Sequence, residues 1–375
     1  MILSAIGIIM VVDSHSWISV NIFNSIFPYN SFFMAMFLFI SGYFFNVEKN
    51  ISHPLIYLTK KTKKLFLPYL GWTAFYAVFV TLLRLVTPIK VGVSFSFYNF
   101  FVLPFLNGEG FDINAPAYFV PILFYIIIIY LFTRKMLNKI WNDYIMQLLF
   151  TVIGVLVVYY CISVNHIFSK NIVAMTMKVL FSLQFFQLGV LYKLKLENFF
   201  NKLNSLAIIL ICVLLVNIIR FCVGDINWTL NHLNFNPNLV INGNFVLCGI
   251  PFIVAVISIA FWLKISKLLE NSLGENKICN FISDHTFGIM MHHIAFMALF
   301  NWVLVLINKI LPIQGLDTDR ILVSSWYRFN PNGGNFYLFY FIVGIVGSCV
   351  LCYLFDKICK KIKNIVQQKH LKAGS

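Results

Sequence analysis

The chain has 375 residues, of which 60% are hydrophobic and only 11% are charged, and its formal net charge is +15. Soluble globular proteins carry roughly 25% charged residues, so this composition excludes a soluble globular protein. Apolar runs near the length that crosses a bilayer, about 20 residues, recur along the chain, and no polar stretch is long enough for a soluble domain. The sequence therefore predicts one all-α, polytopic membrane domain over residues 1–363, followed by a basic cytoplasmic tail over residues 364–375.

Ten apolar segments are predicted to cross the membrane as helices. In chain order they are 2–20, 32–46, 66–86, 118–133, 145–163, 172–192, 205–223, 244–263, 282–308 and 335–356. Several of them, including 32–46, are shorter or more polar than an isolated span. Neighbouring helices have to shield such segments from lipid, so the sequence predicts a bundle of about ten transmembrane helices.

The distribution of basic residues predicts the orientation of this bundle. The connections 47–65, 134–144, 193–204 and 264–281, with the tail after Phe355, hold 20 of the 28 lysine and arginine residues. Cytoplasmic loops carry such an excess, so both termini are predicted to be cytoplasmic. The net charge is then a topology signal and a contact surface for anionic lipid or an anionic cofactor, not for nucleic acid. The first segment lacks a basic leader and a small-residue cleavage site, so we expect it to remain as an anchor.

A polar stretch at residues 13–16 interrupts the first apolar segment and places His15 inside the bilayer, where an ionisable group costs roughly 2.5–3.5 kcal/mol. His15 is predicted to lie about 20 Å along a helix that starts near residue 2. A neutral imidazole is able to take a proton from a hydroxyl that attacks an acyl carbonyl, but a structural histidine held by a neighbouring helix is an equal alternative. Asp13 is its candidate partner, although residues two apart on a helix do not face each other. We therefore expect a carboxylate that orients His15 to come from another span.

Two further sets of residues have both a functional and a structural interpretation. Ser41 and Gly42 let a backbone or a thioester approach closely, or they form a small-residue contact between helices. A basic cluster follows, consisting of Lys60, Lys61, Lys63 and Lys64. Lysine binds phosphate as a point charge, so the cluster suits an anionic, phosphate-bearing ligand, but it is equally an ordinary cytoplasmic loop.

Asp284, His285, His292 and His293 gather in the ninth segment. His285 and His292 are seven residues apart and share a helix face, whereas His293 is turned by about 100°. Their spacing matches no metal-binding motif, and the sequence predicts no metal site.

Two connections on the predicted outer side suit contact with carbohydrate. The segment 224–243 is rich in asparagine, which both donates to and accepts from hydroxyls, and the segment 309–334 carries Trp326, Tyr327 and Arg328. Base composition of the gene and an interfacial aromatic belt, respectively, explain the same residues. The sequence leaves these alternatives open.

Five stretches in order resemble the membrane acyltransferase-3 family over about 300 residues. They are 5–16 around His15, 37–44 around Ser41 and Gly42, 60–72 with the lysine cluster, 116–121, and 286–293 ending in His293. The resemblance implies a bundle of ten spans that moves an acyl group, usually acetyl from cytoplasmic acetyl-CoA, onto hydroxyls of extracytoplasmic glycans in the bacterial inner membrane. Acetyl-CoA is then a substrate, with no permanently bound cofactor.

The resemblance also implies roles for residues. His15 matches the family's histidine and His293 its late histidine, with Asp13 and Ser41 as further candidates and the lysine cluster as the CoA-phosphate site. The family's basic residue before that histidine falls here on Ser4, so either the lysine cluster supplies the charge or activity is impaired. The expected partners are acyl-CoA, a glycan acceptor and membrane lipid, with no nucleic acid, and a homodimer is left open.

Two rival functions remain at this point. A secondary transporter or glycan-lipid translocase would use His15, Asp284 and His293 as a proton relay. Against it, the two halves of the sequence show no matched pair of broken helices. An inactive family member that serves as a scaffold is the third interpretation, and it rests on Ser4.

Overall fold

A computed structural model gives the fold and describes residues 1–17, 23–93, 95–107, 112–137, 142–164, 172–229, 233–240, 246–331 and 336–373. Within these described residues, ten apolar helices form the bundle. They are α1 (Ile2–Ser16), α2 (Phe33–Tyr43), α3 (Leu67–Val86), α4 (Phe119–Leu137), α5 (Asp143–Ser163), α6 (Ile172–Leu191), α7 (Ser205–Val223), α8 (Ile250–Leu268), α9 (Thr286–Asn308) and α10 (Tyr337–Ala373).

Each of the ten predicted segments corresponds to one of these helices, and the predicted fold class is confirmed. In the described part of the chain, eight helical stretches are long and apolar enough to cross a membrane, and α1 and α2 are shorter apolar helices. No strand is present among the same residues, where the only pairing of this kind is an isolated bridge between Thr229 and Asn234. The protein is an all-α, multi-pass membrane protein.

Shorter helices connect the long ones. The α-helical ones are Val47–Ser52, Pro54–Lys61, Leu103–Asn107, Glu197–Lys202, Glu270–Leu273, Lys277–Asp284 and Thr318–Val323. Turns of 3₁₀-helix lie at Tyr29–Ser31, Asp112–Tyr118, Pro237–Leu239 and Val246–Gly249, and π-helical turns at Thr62–Phe66, Tyr98–Val102 and Tyr192–Leu196.

Several predicted boundaries differ from the structure. The first segment, predicted to residue 20, ends as α1 at Ser16, and residues 18–20 lie outside the described part of the chain. The segment predicted at 244–263 forms α8 only from Ile250, because Pro251 occupies the first turn, where its missing N–H has no intrahelical partner to lose. The segment predicted from residue 282 is broken at His285, so α9 begins at Thr286. The last helix continues well past residue 356 into the basic tail.

Helix α1 lies at the centre of the bundle. Its apolar residues point in all directions, which is typical of a helix that is buried on every side, and ten of its fifteen residues are buried. It packs against α2, α8, α9 and α10 and against the short helix Lys277–Asp284. It ends at Ser16 because Trp17 adopts a left-handed backbone conformation with φ 67°, which leaves His15 in the last turn of a central helix.

Helices α2 and α6 touch at backbone distance, and two glycines make this contact. A Cβ atom on Gly42 would lie 1.9 Å from the carbonyl oxygen of Phe186, and one on Gly189 would lie 2.0 Å from that of Phe39. No larger side chain fits at either position without moving the helices apart. Gly42 therefore serves the helix contact that was one of its two predicted interpretations.

Candidate active site

A cavity of about 800 Å³ lies beside α1 inside the bundle. Its walls come from α1, α2, α4, α9 and the connections around them. The lining residues are Ser4, Ile8, Val11, His15, Asn30, Phe33, Met34, Phe37, Ile40, Ser41, Leu65, Ala115, Pro116, Tyr118, Phe119, Val120, Leu123, Thr229, Ser283, Thr286, Phe287, Met290 and Trp326. The size is within the range of small-molecule sites, which are mostly apolar with a few placed polar groups.

The cavity follows one face of α1. Ser4, Ile8, Val11 and His15 are spaced by four, three and four residues, so they lie on one side of the helix and all line the cavity. Eleven residues separate Ser4 from His15, which is about 16 Å along the axis. The cavity therefore connects two levels of the bundle, which we call the Ser4 end and the His15 end.

The two ends have different walls. Leu65, Ser283, Thr286 and Phe287 surround the Ser4 end, next to the start of α9. The His15 end is bounded by three residues of separate connections, Asn30, Thr229 and Trp326. The stretch 116–121, singled out in the sequence, forms part of the wall between them.

His15 is paired with His293, which α9 brings to it from 278 residues away. His15 Nδ1 lies 2.8 Å from His293 Nε2, and the two rings stack with their centroids 5.0 Å apart. The other nitrogen of His293, Nδ1, lies 2.8 Å from the backbone oxygen of Ile289. His293 is buried, whereas His15 is partly buried and lines the cavity.

This chain of contacts fixes the protons of a neutral histidine pair. A carbonyl oxygen only accepts, so His293 Nδ1 carries the hydrogen and donates it to Ile289. His293 Nε2 is then an acceptor, and His15 Nδ1 carries the hydrogen that it receives. The remaining ring nitrogen, His15 Nε2, keeps its lone pair and is able to act as a base.

The structure pairs Asp13 with a residue of another element. Its side chain is buried and accepts a hydrogen bond from the hydroxyl of Tyr29, in the 3₁₀ turn before α2. The group that meets His15 Nδ1 does come from another span, as expected, but it is the imidazole of His293 rather than a carboxylate. Asp13 thus ties α1 to the start of α2.

Ser41 lines the cavity, and its hydroxyl donates to the carbonyl oxygen of Phe37 in the same helix at 2.8 Å. The two other serines near His15 behave alike: Ser14 donates to Val11 at 2.8 Å and Ser16 to Asp13 at 2.9 Å, in each case to the backbone oxygen. None of these three hydroxyl protons is directed at a base.

The lysine cluster lies close to the Ser4 end. Lys60 and Lys61 end the helix Pro54–Lys61, and Lys63 and Lys64 lie in the π-helical turn that joins it to α3. Lys60, Lys63 and Lys64 are exposed, and Lys61 lies over the ring of Tyr57 at 5.6 Å. The next residue, Leu65, lines the cavity, so the cluster borders this end without entering it.

The other acidic and basic residues of the ninth segment lie apart from the histidine pair. His285 Nε2 contacts Asp356 Oδ2 at 2.9 Å, and His292 Nδ1 contacts the hydroxyl of Tyr76 at 2.8 Å. Asp284 is exposed at the end of its short helix. The helix break at His285 lies between Asp284 and His293, so the structure pairs two members of the predicted proton relay, His15 and His293, and shows no contact of Asp284 with either.

The contact of Arg328 with His15 is not predicted by the sequence. Arg328 is buried, and its Nε donates to the backbone oxygen of His15 at 3.1 Å. Burial lowers the pKa of its guanidinium to about 10, so it remains a cation at neutral pH. Its neighbour Trp326 lines the cavity and meets the His15 ring edge-on, with centroids 5.3 Å apart. The sequence signal for both was the aromatic and charged stretch at 326–328.

Comparison with known protein families shows which family the chain matches. The acyltransferase-3 model, described as an acyltransferase domain, matches residues 2–357, which confirms the resemblance found in the sequence. No curated protein and no solved structure matches the chain.

Proposed function

The chain belongs to the acyltransferase-3 family and is a membrane acyltransferase, and on this premise we propose that it transfers an acyl group from cytoplasmic acyl-CoA to a hydroxyl of an extracytoplasmic carbohydrate. Acetyl is the proposed group and the bacterial cytoplasmic membrane the proposed location. The observation that carries the proposal is the position of His15. Its Nε2 lone pair belongs to a residue that lines a cavity reaching from the Ser4 end to the connections at the other end.

The proposed reaction is a direct transfer. The acceptor hydroxyl attacks the thioester carbonyl, a C–O bond forms, and His15 Nε2 takes the hydroxyl proton. The tetrahedral centre then collapses with cleavage of the C–S bond. The leaving thiolate takes the proton from the His15 imidazolium, so an acyl ester and CoA thiol are the products and His15 returns to its starting state.

His293 supports both halves of this reaction. It accepts the Nδ1 hydrogen of His15, which holds the reactive tautomer and the orientation of the ring. When His15 becomes an imidazolium, this hydrogen bond becomes charge-assisted and therefore stronger. This hydrogen bond therefore stabilises the state with the proton on His15 more than the starting state. An interaction that is stronger near the transition state than in the ground state accelerates the reaction.

A direct transfer is favoured over an acyl-enzyme on serine. The hydroxyls of Ser14, Ser16 and Ser41 all donate to carbonyl oxygens of their own helices. A serine nucleophile needs a base within hydrogen-bond reach of its hydroxyl. His15, the proposed base, instead lines the cavity, where an incoming hydroxyl is able to reach it.

The donor is proposed to enter at the Ser4 end. The phosphates of CoA lie against Lys60, Lys61, Lys63 and Lys64, which border that end. The pantetheine arm then extends along the α1 face through Ile8 and Val11 toward His15. The distance of about 16 Å between the two ends suits an extended arm, and the intervening wall is mostly apolar.

The proposal is tested with purified protein in vesicles that contain a trapped carbohydrate mixture, with labelled acetyl-CoA added outside. We expect label on the trapped carbohydrate for the wild type and for His53→Gln, an exposed histidine that does not line the cavity, and none for His15→Gln. Transfer at the wild-type rate by a folded His15→Gln protein contradicts the role of His15. Solute flux without transfer of label would favour the transporter alternative.

A further inference from the structure

The segment 324–330 borders the His15 end of the cavity through Trp326, and the buried Arg328 holds the segment in place. Arg328 Nη1 donates to the backbone oxygens of Ser325 at 2.7 Å and Tyr327 at 2.9 Å. Its Nε reaches the oxygen of His15 at 3.1 Å, and its Nη2 lies 3.2 Å from the sulfur of Met297. A single planar guanidinium therefore joins this segment to α1 and α9.

A second set of hydrogen bonds fastens the same segment to the other helices. The backbone N–H of Phe329 donates to the hydroxyl of Tyr340 in α10 at 2.9 Å. Asn301 in α9 donates to the oxygen of Tyr327 at 2.8 Å and accepts from the hydroxyl of Tyr340. Connections usually run free over a protein surface, but this one is bound to three helices at buried positions.

The fastened segment presents one large side chain to the cavity. Ser325, Arg328 and Phe329 are buried, whereas Trp326 is only partly buried and lines the cavity. Its ring stands at 74° to the ring of His15. Tyr327 is also partly buried, but of the residues 324–330 it is Trp326 that lines the cavity, so its indole is the side chain of this segment that a bound molecule is able to contact.

Resting on the proposed function, we propose that residues 324–330 are a fixed platform for the acceptor, in which Trp326 binds the sugar ring and Arg328 positions both Trp326 and His15. A pyranose has an apolar face of C–H groups, which an aromatic ring covers well, and a rim of hydroxyls. When the sugar ring lies with one face on Trp326, a hydroxyl on its rim comes next to His15. Asn30 and Thr229, on the same side of the cavity, offer polar groups to the remaining hydroxyls.

Arg328 acts in this arrangement as a positioning residue. It does not touch the His15 ring, because its bond is to the backbone oxygen in the last turn of α1. A cation at the C-terminal end of a helix also complements the helix dipole. The same guanidinium thereby sets the distance between the base on α1 and the platform, which decides how well a bound hydroxyl is aligned for attack.

The test compares acceptors that differ only in the sugar ring. Purified full-length protein receives acetyl-CoA with either a panel of methyl glycosides or the matching open-chain polyols, and kcat/KM is measured for each. The readout is the ratio of glycoside to polyol within one preparation, so a loss of folded protein cancels. Trp17→Ala is the control, because Trp17 lies at the end of the same helix, contacts Tyr337 and is not part of this cavity's lining.

We expect the wild type to prefer glycosides, and Trp326→Ala to lower this preference about tenfold, the low end of discrimination by an apolar contact. Trp326→Phe, which keeps a ring, should fall between the two, and Trp17→Ala should keep the wild-type ratio. Two results overturn the platform. Either the wild type transfers acetyl without preferring glycosides over polyols, or Trp326→Ala keeps the wild-type ratio of glycoside to polyol. No transfer by the wild type to any acceptor counts instead against the proposed function.

Arg328→Lys tests the positioning role separately. Lysine keeps the charge but lacks the planar set of donors that reaches several carbonyl oxygens at once. We expect a lower kcat for glycosides and polyols alike, a lower ratio between them, and an unchanged KM for acetyl-CoA. A variant that matches Trp17→Ala in both the ratio and kcat overturns the assignment of Arg328.

Discussion

The two ends of the cavity are built in different ways. At the His15 end, polar groups are held by partners on separate helices, as His15 is by His293 and Asp13 by Tyr29. At the Ser4 end, the charged residues are exposed lysines on a short helix and a π-helical turn. The proposed function accounts for this difference: geometry is fixed where the acyl group is proposed to be transferred, and long, adaptable side chains lie where the phosphates of CoA are proposed to bind.

The largest effect is expected from removing the base. His15→Gln lacks a titratable nitrogen, and general base catalysis contributes about 10²–10⁴-fold. We predict a loss of about 10³-fold in kcat with acetyl-CoA binding retained, measured by single-turnover transfer and by equilibrium binding. A loss confined to KM, with kcat intact, would mean that His15 binds substrate instead of accepting the proton.

A smaller effect is expected at the partner of the base. His293→Leu leaves the Nδ1 hydrogen of His15 without its acceptor, so the tautomer and orientation of the ring are no longer fixed. We predict a loss of about 100-fold in kcat. His293→Gln, whose amide oxygen still accepts, should retain more activity than His293→Leu, and equal rates for the two variants would argue against an orienting hydrogen bond.

Substitutions at the Ser4 end should change the KM for acetyl-CoA and leave kcat unchanged. Replacing Lys60, Lys61, Lys63 and Lys64 by alanine removes the proposed phosphate contacts, and we predict a rise of about tenfold in the KM for acetyl-CoA. The control substrate is acetyl-pantetheine, which has no nucleotide. The preference for acetyl-CoA over acetyl-pantetheine should fall in the variant, and it should also fall in wild type as salt is raised. A preference that survives both changes excludes the cluster as the nucleotide site.

The smallest effect is expected at Ser4 itself. Ser4→Lys introduces the basic residue that the family pattern has at this position, at the end of the cavity already bordered by lysines. An exposed charge pair contributes about 0.2–1 kcal/mol, so we predict a decrease of about threefold in the KM for acetyl-CoA. A gain of 100-fold or more in activity would instead show that the natural serine impairs the enzyme.

The fold was largely predictable because each apolar run of bilayer length predicts one helix. Each predicted segment has its helix, and the errors lie at the ends, where local features such as Pro251 and the break at His285 decide the boundary. Hydropathy averaged over a window does not detect such features. The cytoplasmic location of the termini remains a prediction from the lysine and arginine distribution.

The site was predictable only in part. His15 is visible because a titratable group inside an apolar segment is costly. The pairing of His15 with His293 is not visible in the sequence, because the two residues are 278 positions apart and only the packing of α1 against α9 brings them together. That the group beside His15 Nδ1 is an imidazole and not a carboxylate depends on the same packing. For Arg328, the sequence does not distinguish an arginine that extends into solvent from one that binds three backbone oxygens inside the bundle.

The most direct test of the central claim is the position of the proton on His15. Nitrogen chemical shifts of ¹⁵N-histidine-labelled protein in lipid bilayers distinguish the two neutral tautomers, and the His15→Gln spectrum assigns the signal. The account predicts a neutral His15 with its hydrogen on Nδ1 and a lone pair on Nε2. A hydrogen on Nε2 in the resting protein would contradict it, because the nitrogen available to the cavity would then be a donor and not a base.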